Sequence, residues 1–199
     1  MKKILISFIL FISIHSLVNS QSFVGMMVIE TENFEIGEKS TIQCYVKYPY
    51  CKMEINSIAK EGNANYTLYF DNQKSDVIML SGGTRTIIPM SSIPLNKYTE
   101  NILIAIPTQT TQMIAGFTAT EVNLKSTNAL IICQVAAELN LNLPSVLNSR
   151  GIIKSLQENS IAGTPLDILV KDLSGKSLYS QKIISIQAKD LNDQIFMAE

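Results

Sequence analysis

Thr41-Ile42-Gln43-Cys44-Tyr45-Val46-Lys47-Tyr48-Pro49-Tyr50-Cys51-Lys52-Met53-Glu54-Ile55 is the stretch whose alternation decides the fold class. In an extended chain successive side chains point to opposite faces, so Ile42, Cys44 and Val46 share one side. Cys51, Met53 and Ile55 repeat the pattern. Pro49 has no N–H for a ladder bond and marks the turn between the two runs. The reading is a β-hairpin with one apolar and one polar face.

The same period continues outward. Tyr66–Phe70 is dense in β-formers, and Val77–Leu80 and Thr84–Ile88 flank Ser81-Gly82-Gly83, where glycine supplies the positive φ of a tight turn. Asn101–Ile106 and Gln112–Thr120 read as a strand pair joined across residues 107–111. Ala129–Val135 is a continuous apolar run, either a buried strand or the start of a helix reaching Leu139. Pro144–Gln157 is the helix candidate, with Pro144 suited to a first turn and Gly151 against it. Leu166–Val170 and Leu178–Ile186 bracket a turn at Leu173-Ser174-Gly175-Lys176. The pattern predicts a mainly β chain: an antiparallel β-sandwich with one or two short helices around residues 136–158. Residues 21–199 form a single β-rich unit, with a division into 21–124 and 125–199 as the alternative.

Two segments echo each other. Glu32-Asn33 precedes Gly37, Ile42 and Cys44 at the spacings by which Glu158-Asn159 precedes Gly163, Ile168 and Val170. With Ala162-Gly163-Thr164-Pro165-Leu166-Asp167-Ile168-Leu169-Val170, this resembles the opening strands of immunoglobulin-like modules. The resemblance implies a sandwich and nothing about function.

The N-terminus carries an address. Lys2 and Lys3 precede the apolar run Ile4–Ile14, and Val18-Asn19-Ser20 presents modest side chains before a cut between Ser20 and Gln21. The run falls short of the roughly 20 apolar residues needed to span a bilayer, so residues 1–20 read as a cleaved signal peptide and the product as secreted, with no membrane span. Cleavage removes Lys2, Lys3 and His15, leaving 14 basic against 17 acidic side chains, a net charge of about −3. That balance argues against nucleic acid, which favours a basic stripe. His15 is the one histidine, and the chain has no tryptophan. The mature product therefore lacks the imidazole of Ser-His-Asp and Cys-His mechanisms and of His-ligated zinc.

Cys44, Cys51 and Cys133 remain, an odd count that in an oxidising compartment implies one bridge and one free or intermolecular thiol. A tight turn at Pro49 makes Cys44 and Cys51 diagonal neighbours with Cβ atoms about 7 Å apart, whereas a bridge wants about 4 Å. A looser loop would let them close. Cys44–Cys133 is the alternative, and Cys133 could instead link two copies of the chain.

Five of seven tyrosines lie between positions 45 and 69. Tyr45, Tyr48 and Tyr50 are the binding-loop candidates, because tyrosine offers a large amphipathic contact at low entropic cost; as ordinary strand residues they would cover the core edge. Asn65-Tyr66-Thr67 is an N-glycosylation acceptor. Asp71 with Asp76, or Asp190 with Asp193, could serve a glycoside hydrolase, and Asp71, Asn72 and Asp76 could meet calcium. Ser57-Ile58-Ala59-Lys60 matches a Ser-x-x-Lys pattern without its companion motifs.

The expectation is a secreted, non-enzymatic glycoprotein without cofactor or metal. It would act by binding protein or carbohydrate at the cell exterior, as an adhesion, lectin-like or signalling component. An extracellular structural or coat protein is the alternative, followed by a carboxylate-dependent glycoside hydrolase.

Overall fold

A computed structural model of the protein describes residues 23–60, 62–71, 73–74, 76–92, 99, 101–139, 141 and 150–198. The proposed signal peptide, its Ser20–Gln21 cut and Asn72 lie outside them. Eleven strands are described: β1 Val24–Asn33, β2 Glu38–Lys47, β3 Tyr50–Ala59, β4 Gly62–Asp71, β5 Asp76–Ser81, β6 Thr84–Pro89, β7 Ile102–Ile114, β8 Phe117–Ser126, β9 Ala129–Ala136, β10 Thr164–Asp172 and β11 Ser177–Ala188. The helix α1 spans Arg150–Glu158.

All eleven strands belong to one sheet, in the order β6-β5-β4-β3-β2-β1-β11-β10-β9-β8-β7. The chain is mainly β and antiparallel, as the alternation implies, but the expected two-sheet sandwich is corrected to a single open sheet. Two meanders, β1 to β6 and β7 to β11, meet where β1 pairs with β11. The immunoglobulin-like echo falls on β2 and β10, the strands flanking that central pair. Each echo is a glycine turn entering a half-buried strand, a local phrase that serves one sheet as readily as two.

Register explains which side is buried. Ile42 faces Ile55 and Ile55 faces Tyr66, Cys44 faces Met53 and then Leu68, and Val46 faces Cys51 and then Phe70. These rows lie on the core face. Met27, Ile29, Cys44, Met53, Phe70, Val77 and Ile183 form one buried cluster, which Ile114, Ala119, Leu139, Leu141 and Leu166 join. A second cluster gathers Val122, Leu124, Ile131, Cys133, Ile168, Val170 and Tyr179 around Ile152 and Leu156 of α1. Fully burying one such aliphatic or aromatic side chain stabilises by about 1.5–3 kcal/mol, so the core face dominates the energetics.

Two local readings change, and one left open is decided. Residues 107–111 are not a turn: β7 runs through them with a break in register between Pro107 and Thr111, and the turn to β8 is Ala115-Gly116, both at positive φ. β7 is an edge strand, where a proline costs no ladder bond. Ala129–Val135 is strand rather than helix. Of the helix expected over Pro144–Gln157, residues 144–149 lie outside the described residues, and Arg150–Glu158 is helical. Gly151 is required rather than weakening, since a Cβ there would strike the Thr99 carbonyl, whose carbon would lie 2.8 Å away. Among the described residues no helix is long and apolar enough to cross a membrane.

Candidate functional site

The solvent face is polar in an ordered way. Register aligns Glu121 with Gln134, then Asp167, Lys182, Glu30, Thr41, Asn56 and Asn65, a continuous polar row crossing from β8 to β4. The next row runs Ser180, Glu32, Lys39 and Ile58. These rows line a groove of about 530 Å³, whose lining is charged, amide and hydroxyl side chains around the exposed Ile58. Lys39 Nζ lies 3.1 Å from Glu32 Oε1, and Lys182 Nζ 3.8 Å from Asp167 Oδ2. Such solvent-facing pairs add little to stability, which leaves these charges available to a ligand.

Asp167 is the most perturbed group in the groove. Partial burial pushes its carboxyl above the ordinary carboxylate value, against the opposing pull of Lys182. Its register neighbour Gln134 is buried and donates from Nε2 to Glu121 Oε2 at 3.4 Å, while its own Oε1 has no hydrogen-bond partner among the described residues. A raised acid pKa means the folded state favours the neutral carboxyl. The stability this contributes is full below the unfolded value of about 3.9 and is lost as pH rises through the folded value. Asp167→Asn removes that loss and places a donor beside Gln134. Chemical denaturation should find the variant more stable than the native protein at pH 7, with the gain vanishing near pH 3. An equal effect at both pH values would contradict this account.

The tyrosines divide. Tyr45 lies on the solvent face of β2, with Gln43 Oε1 at 3.1 Å and Glu54 Oε2 at 3.4 Å as acceptors for its hydroxyl. Burial, then the Glu54 charge, raises its phenol. Lys52 Nζ sits 5.6 Å from the Tyr45 ring and 5.7 Å from the Tyr69 ring, and 2.7 Å from Glu54, so this part of the face is held by its own contacts. At the β2–β3 turn Tyr48 is 54% exposed. Tyr50 instead stacks on Phe196, with ring centroids 6.0 Å apart. Phe196 belongs to a 3-10 turn, Asp193–Phe196, anchored where Lys47 Nζ meets Asp193 at 2.6 Å and the Leu191 carbonyl at 2.9 Å. The C-terminal segment therefore covers one side of the tip.

Asn65 is exposed on β4, at the end of the polar row. Of the carboxylates considered for hydrolysis, Asp71 and Asp193 serve local structure. Asp71 accepts from the Gln73 amide at 3.0 Å and pairs with Lys74 at 3.1 Å, and these contacts, the amide first, lower its pKa. Asp193 is held by Lys47. Ser57 is buried on the core face, where its hydroxyl donates to Glu38 and accepts from Ser40 at 3.1 Å. Among the described residues no three His, Cys, Asp or Glu side chains gather as a metal site. Cys44 and Cys51 come together in the first buried cluster, while Cys133 lies in the second, on β9, four strands from β2. Sequence reasoning missed the groove altogether. Glu30, Lys39, Asp167 and Lys182 are scattered along the chain, and only strand register brings them together.

No family model matches the chain, and no curated protein matches it. Solved structures show a shared fold. An uncharacterized conserved protein of Thermus thermophilus is similar at 11% identity over 88% of this chain and 85% of that one, with a TM-score of 0.54. MucB is similar at 9% identity over 89% of this chain, with a TM-score of 0.50. The MucA/MucB complex of Pseudomonas aeruginosa gives 10% identity over 88% of the chain at the same score. The chain spans 57% of the MucB chain. At these identities the likeness is one of fold: an open antiparallel sheet shared with the Thermus protein and with MucB.

Proposed function

We propose that this is an exported, non-enzymatic binding protein whose solvent-face groove takes a segment of a partner protein. The single observation that carries the reading is the in-register polar row from Glu121 to Asn65 and the groove beside it. The acids, amides and lysines Lys39 and Lys182 along the row and groove, with Ile58 as the exposed apolar anchor, suit the mixed charges and side chains of a polypeptide. Lys2–Lys3, the apolar run and the Ser20–Gln21 cut support export, and loss of His15 removes the commonest catalytic side chain. Asn65 is exposed and carries a glycan where the host glycosylates. MucB, which shares the fold over 57% of its chain, is seen in a complex with MucA, which supports a protein-binding reading.

The test is covalent capture. A photo-crosslinking residue in place of Ile58 should trap a protein adduct from the extracytosolic fraction of the native host. Lys39→Gln with Lys182→Gln should reduce the adduct about tenfold, roughly 1.4 kcal/mol of binding, with little change in thermal midpoint, because each exposed pair adds little to stability. Failure to trap an adduct, or one indifferent to both substitutions, would sink the reading.

A further inference from the structure

Cys44 and Cys51 stand closer than tight-turn geometry suggests. Cys44 pairs opposite Met53 and Cys51 opposite Val46, so the two are diagonal neighbours across the β2–β3 hairpin. Both side chains point to the core face, at 0% and 1% exposure. Their sulfur atoms lie 3.4 Å apart, and all three cysteines are present as thiols. A disulfide sulfur pair sits near 2.05 Å, so the approach needed is small. Sheets twist so that diagonal neighbours across a strand pair are not equivalent, and the Cys44–Cys51 diagonal is one whose sulfur atoms lie within reach.

We propose that Cys44 and Cys51 are a disulfide pair, closed as the hairpin folds, and that Cys133 stays a free buried thiol. Closure proceeds by thiol–disulfide exchange with a small-molecule or enzyme disulfide. One cysteine thiolate attacks that disulfide, releasing one thiol. The second cysteine then attacks the mixed disulfide, releasing the other. Two protein thiols lose two protons and two electrons, and the external disulfide takes them up to become two thiols. Burial pushes the Cys51 thiol well above its ordinary value, with the Cys44 contact adding to the effect. Attack needs a thiolate, so exchange belongs to the open hairpin rather than the folded sheet.

The bond would staple the turn that carries Tyr48 and holds Tyr50 against Phe196. Cys133 is fully buried in the other cluster, four strands away, and is placed neither to join Cys44 nor to link two copies of the chain. The oxidising setting rests on the export reading, so the test separates the two. Protein isolated from its native host is unfolded in guanidinium with iodoacetamide and no reductant, then weighed. One adduct, on Cys133, and a cross-linked Cys44–Cys51 peptide are the expected result. Reduction should then lower the thermal midpoint by roughly 5–10 °C. A second sample is reduced, unfolded and refolded with oxidised glutathione. Three adducts in the first sample but a Cys44–Cys51 bond in the second uphold the pairing and overturn export. Three adducts in both, or any bridge through Cys133, overturn the pairing.

Discussion

Gly163→Ala should destabilise the protein by about 3–5 kcal/mol, read as a lower midpoint in urea with little change in slope. Two independent effects add at this position. Gly163 adopts φ +120, a region that L side chains rarely enter, and a Cβ there would run into the Ala136 carbonyl oxygen and come within 2.7 Å of Ala137 Cα. Neither obstacle can swing aside, because both belong to the backbone at the end of β9. That end is itself fixed: Thr164 pairs with Ala136, its hydroxyl donates to the Leu139 carbonyl at 2.8 Å, and it accepts from the Leu141 amide at 3.0 Å. Gly175→Ala is the control. It also has positive φ, at 92°, but among the described residues nothing lies within 4 Å of an added Cβ. Conformational strain alone should cost about 1–2 kcal/mol there. Equal losses at the two positions would show that the close approach to β9 is not what makes Gly163 necessary.

Phe70→Ala should cost about 3–5 kcal/mol by the same measurement. Phe70 is 2% exposed, and register sets it between Cys51 on β3 and Val77 on β5, both buried. Truncation leaves a cavity lined by two stiff strands, where partial collapse recovers little. Its sequence neighbour Tyr69 provides the contrast, since it lies on the opposite face with Lys52 over its ring at 5.7 Å. Loss of that cation–π contact in Tyr69→Ala should remove about 0.5–1 kcal/mol. Adjacent residues would then differ severalfold in effect because a strand alternates its faces. Similar losses at both would mean that this part of the sheet is covered on both sides.

The strands themselves were legible. Thr41–Val46, Cys51–Ile55, Thr84–Ile88 and Leu166–Val170 all sit inside observed strands, and Cys44, Met53 and Ile55, placed on the apolar faces by alternation, are buried. Gly82-Gly83 and Ser174-Gly175 turn where glycine allows it. The misreadings have local causes. Pro107 looks like a turn but sits in an edge strand, while the true turn uses Ala115 at φ 49, a conformation its residue type gives no hint of. Gly151 looks like a helix breaker because its reason, the Thr99 carbonyl, lies some fifty positions earlier. β1 went unread, although Met27 and Ile29 are fully buried, because Glu30-Thr31-Glu32 dilutes its alternation.

By itself the sequence determined that the chain is built of strands and which side of each strand is apolar. These are properties of consecutive side chains, and period and hydropathy suffice for them. The tertiary structure decided that the strands form one sheet and not two, that β1 closes on β11, and that Glu30, Asp167 and Lys182 meet on one row. Those outcomes depend on which backbone pairs with which. Backbone hydrogen bonds are nearly the same for every residue, so the partner and register of a strand leave little trace in its own amino acids.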